Sequence, residues 1–239
     1  MAENELVERA KKQSTERGTL ASSVYEKLRN DIMAGELRPG ERLRSDLLRE
    51  RYEVGNSPMR EALNRLAADG LVSREDQKGF RVADASRDAL LELVKTRCWL
   101  EETAVRQSIL NGGTEWEERL VLAFHRLSRT PRSSSEDVYT HNPDWEARHR
   151  EFHLALISGC GSKWLIGFCD QLNDQAERYR QLAVERAYLK RNDLDEHKLM
   201  FEAAIDGRAD DAVEGLNAHY KRTVEIILAG DADFLTETS

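Results

Sequence analysis

Apolar residues recur at helical spacing along most of the chain, interrupted by a few turns marked by glycine and proline. Val24, Leu28 and Ile32 repeat every fourth residue, which predicts a first helix over 21–34 that Gly35 ends. Gly35-Glu36-Leu37-Arg38-Pro39-Gly40 reads as a turn. Ser45 is expected to cap a second helix over 46–52, with Leu47 and Leu48 inward. Ser57 is expected to cap a third, with Pro58 in the first helical position, where its missing N–H is no loss. This third helix runs to about Asp69 and stops at Gly70. It puts Met59, Leu63 and Leu66 on one face and Arg60, Asn64 and Arg65 on the other. Leu71 to Arg74 and Phe80 to Val82 then read as two short strands around Glu75-Asp76-Gln77-Lys78-Gly79.

Beyond Arg87 the pattern is helical throughout. Amphipathic stretches cover 89–110, 116–128, 144–158, 163 to about 188, 194–206 and 209–229, and no strand pattern occurs. The expected fold is mainly α: an N-terminal winged helix-turn-helix followed by an all-helical bundle of six or seven helices. The expected divisions are a flexible N-terminal segment at 1–18, a winged helix-turn-helix at 19–85, a helical ligand-sensing domain at 86–230 and a tail at 231–239.

Composition sharpens this picture. The 239 residues carry 36 Lys+Arg against 44 Asp+Glu, a formal net charge of −8. Over 18–85 the two signs balance, and so they do over 1–17, so the whole acidic excess falls after Ser86. A neutral, arginine-rich front and an acidic back suggest two domains with different partners. No apolar run is long enough to span a membrane, and Met1 to Gly18 is too polar to be a secretory signal. Three cysteines, Cys98, Cys160 and Cys169, with no CxxC pair fit a reducing cytoplasm.

The front part suits DNA. A helix opening with Asn56-Ser57-Pro58 offers backbone N–H groups to a phosphate, and Arg60 lies one turn in, within reach of a base edge. Lys78 and Gly79 occupy the hairpin tip. The alternative is a small helical domain with ordinary surface arginines. The stretch Gly35 to Leu43, followed by Val54 to Leu63 with Pro58-Met59-Arg60-Glu61-Ala62-Leu63, resembles the GntR family of bacterial transcription regulators. That resemblance implies DNA contacts from Arg44, Asn56, Ser57, Arg60, Lys78 and Gly79. The family usually reads Ser-Arg-Thr-Pro where this chain reads Gly55-Asn56-Ser57-Pro58, so Asn56 replaces an arginine. A single copy of the motif points to a homodimer, because two half-sites match a twofold axis.

All six histidines lie in the back part. His149 and His153 are spaced i, i+4 and share a helix face with Phe152 and Leu156 beside them. His197 and His219 fall on two helices separated by Asp206-Gly207-Arg208, a break that can bring them level. Four neutral imidazoles converging in a helical core would suit a borderline divalent metal, zinc or nickel. The alternative is four histidines satisfied by ordinary polar partners. A metal-dependent enzyme is disfavoured: no HExxH occurs, and Glu151 lies off the His149/His153 face.

Arg97-x-x-x-Glu101, then His149-x-x-x-His153 before Ser158-Gly159, then His197 and His219, resemble the FCD ligand-sensing domain of the FadR subfamily of GntR regulators. The resemblance implies a helical bundle that holds a metal through one Asp and three His. His149 stands at the Asp position. An imidazole there leaves the site one unit more positive and favours an anionic ligand. Gly112 to Glu117, Asp144 to His149, Gly159 to Ser162 and Ala176 to Arg180 resemble the carbon-starvation repressors of glutarate, L-2-hydroxyglutarate and GABA catabolism. That likeness implies a dicarboxylate effector, glutarate, which needs two cationic ends; the alternative is a different small carboxylate, such as lactate, gluconate or a fatty-acid derivative. The metal would take one carboxylate, and a guanidinium fork would take the other. Arg97 is the first candidate for the fork. Arg148, Arg178 and Arg180 follow, with Tyr179 adding a hydroxyl.

Overall fold

A computed structural model describes residues 20–75, 78–135, 139–187 and 193–229. The leading segment 1–18, the tail 231–239 and the middle of the hairpin loop, Asp76 and Gln77, lie outside the described residues. The chain divides into two compact units between Ala85 and Ser86.

In the first unit, helix α1 covers 20–33. It is followed by strand β1 (Arg42–Leu43), helix α2 (Ser45–Arg51), helix α3 (Asn56–Ala68), strand β2 (Val72–Glu75) and strand β3 (Gly79–Val82). The sheet order is β1-β3-β2, antiparallel, with Leu43 opposite Phe80 and Val72 opposite Val82. Leu28, Met59, Leu63, Leu66 and Leu71 are fully buried in one cluster that joins the helices to the wing.

Four details differ from the sequence expectation. Ser45 and Ser57 do not cap. Arg44 and Gly55 hold those positions, with no side-chain cap bond at either. An N-cap is worth about 1 kcal/mol, whereas each buried leucine on α3 contributes about 1.5–3 kcal/mol. Burial therefore sets where α3 packs, and its start extends to Asn56 without a capping side chain. Leu47 is 52% exposed, and only Leu48 turns inward. Strand β1 is too short to leave a periodic signal; its partner lies far along the chain. Gly70 has φ 74°, the left-handed turn that ends α3 at the expected place.

The second unit is a bundle of six helices among the described residues: α4 (Arg87–Asn111), α5 (Gly113–Ser128), α6 (Pro143–Ile157), α7 (Lys163–Ala187), α8 (Asp193–Ile205) and α9 (Ala209–Ala229). Ser86 caps α4 by accepting from Ala89 N–H, and Asn142 caps α6 with Pro143 next to it. Phe152, Leu156, Leu120, Met200 and Leu216 fill the core. The bundle closes tightly where α5 begins and α6 ends. A methyl group on Gly159 would lie 2.8 Å from the Gly112 backbone and 3.0 Å from the Trp116 ring. No helix among the described residues is long and apolar enough to cross a membrane.

Candidate functional site

The first unit presents a cleft between the start of α3 and the wing. Ser45, Asn56, Arg60, Arg74, Glu75 and Gly79 line it. Asn56, Ser57 and Arg60 are exposed, as are Lys78 and Gly79 at the hairpin tip. Arg42 ties β1 to that tip by donating to the Lys78 carbonyl at 3.0 Å. Arg44 is exposed and paired with Asp46 at 2.9 Å. From the sequence, Ser45 reads only as a helix cap and Arg74 only as a strand residue, and neither as a DNA contact. Neither belongs to a local motif; α2 and β2 bring them to the cleft.

In the second unit the four histidines meet. His149 and His153 come from α6, His197 from α8 and His219 from α9, and all are buried. One ligand atom from each lies within 4.8 Å of every other. His153 Nε2 stands 3.2 Å from His149 Nε2 and 3.3 Å from His197 Nε2. Burial holds His149 and His153 neutral, well below the usual imidazole range, and the neighbouring imidazoles add to the effect.

The outer nitrogens fix the tautomers. His197 Nδ1 lies 2.5 Å from the Asp193 carbonyl oxygen and His219 Nδ1 lies 2.8 Å from a Glu196 carboxylate oxygen. Both oxygens can only accept, so both Nδ1 atoms carry the proton. The Tyr220 hydroxyl donates to Glu101 at 2.5 Å and accepts from Arg97 at 2.8 Å, and it lies 3.4 Å from His153 Nδ1. His153 Nδ1–H is the donor of that contact. Three Nε2 lone pairs thus point into one small space. A single proton on His149 can satisfy only one of those contacts. A tetrahedral centre with bonds of about 2.0–2.1 Å sets N···N edges of about 3.3–3.4 Å, close to the two short spacings here. The donor set fits a borderline divalent cation. Trp145 stacks on His149 at 4.7 Å and fixes its ring.

A chamber beside the cluster is lined by Arg97, Glu101, Arg150, His153, Cys169 and Asn173. Arg97 is 5% exposed and already engaged: Nε donates to Glu101 at 2.9 Å and Nη2 to Tyr220 and to Asn173. The chamber has room for about one water molecule. Arg178 and Tyr179 are buried on α7, the guanidinium 5.3 Å from the Tyr179 ring. Arg148 pairs with Glu151 at the surface, away from the chamber. Arg180 is doubly bonded to Glu146 and lies 5.6 Å from the Trp145 ring centroid. Tyr220, Glu196 and the Asp193 carbonyl were not read from the sequence. Tyr220 adjoins His219, and Glu196 adjoins His197, which are the only sequence signals for them.

Residues 20–82 match the profile of the bacterial regulatory proteins of the gntR family, and residues 92–222 match that of the FCD domain. The HTH-type transcriptional regulator BphR of Paraburkholderia xenovorans (strain LB400) is 38% identical over 209 residues, 87% of this chain and 85% of that protein. The HTH-type transcriptional repressor GlaR of Escherichia coli (strain K12) is 35% identical over 207 residues, 85% of this chain and 93% of that protein. The solved structure of E. coli McbR/YncC shares the fold, with TM-score 0.70 and 21% identity over 88% of this chain and 97% of that one. The chain is therefore a transcriptional regulator of the GntR family that carries an FCD domain, and not an enzyme.

Proposed function

We propose that this regulator is a cytoplasmic, homodimeric repressor of a small-carboxylate catabolic operon, released from its operator when a dicarboxylate, glutarate first, binds beside a divalent metal, zinc or nickel, in the helical unit. The observation that carries the reading is the set of tautomer-fixed imidazoles, His153, His197 and His219, aimed with His149 at one point next to Arg97. When bound, the metal supplies open coordination positions for one carboxylate. The carboxylate's opposite end needs a guanidinium; Arg97 and Arg150 both line the chamber, and Arg97 is the one joined to His153 through the Tyr220 hydroxyl. Because Glu101 holds Arg97 and the chamber has room for only about one water molecule, an effector must displace Glu101 and enlarge the site. Binding and rearrangement are thus one event, as a switch requires. Arg178 and Tyr179 are the next candidates, and Arg148 stands last because it faces solvent.

Homodimerisation is supported by large exposed apolar side chains on two helices that pack together. Trp99 and Leu110 on α4, and Trp164 and Phe168 on α7, are 52–81% exposed. A second copy would cover such a face. DNA contacts are assigned to Arg44, Asn56, Ser57, Arg60, Lys78 and Gly79. The repressor reading also draws on GlaR, which is named a repressor.

The test is a gel-shift titration with DNA from upstream of the protein's own gene, with and without millimolar glutarate, before and after chelation. Retarded DNA that glutarate releases only in metal-loaded protein is the expected result, with Arg60→Ala failing to bind at all. Release by another small carboxylate alone would replace the effector and keep the repressor. Protein purified without added metal that contains none and gains none on zinc or nickel addition would remove the metal.

A further inference from the structure

Arg49 sits on α2 and Asn56 opens α3, yet their side chains meet: Arg49 Nη1 donates to Asn56 Oδ1 at 2.5 Å. Asn56 is exposed and lines the cleft that faces the wing. No other side-chain bond of Arg49 occurs among the described residues. We infer that Arg49 and Asn56 act as one unit that reads guanine, with Arg49 as the specificity-determining residue that sets which base Asn56 accepts. The inference rests on the DNA-binding role assigned to this unit.

The chemistry is that of donor and acceptor matching. A free Asn side chain offers one acceptor and two N–H donors, and its bidentate partner in the major groove is adenine, which needs both. Here Arg49 occupies the acceptor. The second lone pair of Oδ1 lies beside a guanidinium, whose remaining N–H groups would face the adenine amino group donor to donor. What the pair still presents is Asn56 Nδ2–H and the unused Arg49 N–H groups. These are donors only, and guanine, with acceptors at N7 and O6, is the purine edge that matches them. The Asn56 carbonyl also anchors the long arginine, so less rotamer freedom remains to be lost on DNA. This places a guanidinium at the start of the recognition helix although the residue there is Asn.

The experiment is selection of binding sites from a random duplex library by full-length protein, Arg49→Met, Asn56→Ala and the double variant, followed by affinity measurement on single-base variants of the selected site. Thermal melts check that each variant is folded. The unaltered protein is expected to prefer guanine over adenine by about tenfold or more at one position of each half-site. Arg49→Met should turn that preference to adenine at the same position and leave the others unchanged. Asn56→Ala should weaken the same preference, and the double variant should lose no more than the two changes share. Arg49→Met that binds every sequence more weakly by one factor, with a smaller salt dependence, would make Arg49 a phosphate contact and overturn the proposal. So would an unchanged profile. Failure of the unaltered protein to select any sequence would instead overturn the DNA-binding role itself.

Discussion

Glu196 accepts a hydrogen bond from His219 Nδ1 at 2.8 Å, and that contact decides which nitrogen of the ring faces the other three histidines. Carboxylate, imidazole and cation in line is an arrangement that raises ligand basicity and fixes the ring. Glu196→Ala should therefore weaken metal binding by about 10–100-fold while leaving the helical content intact. Competition against a chelator of known affinity reads this directly. Equal metal affinity in the variant would show that the Glu196 contact does not orient His219.

Gly159 and Gly112 make a second prediction, about stability. A side chain at 159 has no room against the Gly112 backbone or the Trp116 ring. Trp116 cannot yield easily, since it is buried and its Nε1–H donates to the Ala155 carbonyl at 3.0 Å. Gly159→Ala should cost about 1–3 kcal/mol through overpacking, seen as a lower denaturant midpoint. A Gly207→Ala control meets nothing within 4 Å but carries φ 73°, so its cost comes from backbone strain alone. Full stability in Gly159→Ala would mean that α5 and α6 can move apart freely.

Much of this architecture is legible in the sequence because amphipathic period is local. The six bundle helices follow from it, and so does the His149/His153 pair, which needs only one helix turn. The level placement of His197 and His219 follows from a short break at Gly207 between antiparallel helices. What the sequence hides is the register between helices. Arg97 and Glu101 are visibly i, i+4, and Arg97 falls beside Leu93, Val94 and Leu100, but nothing local says that the pair spends its charge on each other and on Tyr220. The caps at Ser45 and Ser57 fail for a related reason. A cap contributes little, and the packing of Met59, Leu63 and Leu66 decides where α3 lies.

The winged unit should lose stability in strong alkali. Burial pushes the Tyr25 hydroxyl up to about 12, and its bond to Asp69 at 2.7 Å and that carboxylate's charge push the same way. Tyr52, bonded to Asp31, is raised for the same reasons. A group raised on folding contributes stability that is complete below its unfolded pKa, near 10. That stability drains away as pH climbs toward 12, because the unfolded chain gives up the proton first. Tyr25→Phe removes one such group. The gap in melting temperature between the unaltered chain and the variant should be constant up to about pH 10 and narrow above it. A gap that stays constant to pH 12 would show that the Tyr25–Asp69 bond does not form in solution.

Tyr220 supplies the last prediction, which concerns the switch. Its hydroxyl touches Glu101 and Arg97 and lies 3.4 Å from His153 Nδ1, so it links the histidine cluster to the buried ion pair. Burial, with Glu101 adding to it, keeps the phenol neutral and available as a donor. Removing Arg97 outright would strand Glu101 in the core, a loss of about 3–5 kcal/mol that threatens the fold. Tyr220→Phe is milder, since it deletes one hydroxyl and keeps the ring. If an effector carboxylate takes Arg97, Glu101 must let go, and Tyr220 is the group that carries this exchange to His153. In the unaltered protein, operator DNA should weaken glutarate binding by the same factor by which glutarate weakens operator binding, since coupling of about 1–3 kcal/mol must be reciprocal. Tyr220→Phe takes away the acceptor of His153 Nδ1–H, so its metal affinity should fall; kept saturated with metal, it should bring both factors close to one while operator affinity without glutarate stays as it was. Calorimetry of glutarate binding with and without operator, run on both proteins, measures the two factors. Undiminished coupling in Tyr220→Phe would exclude the tyrosine as the link.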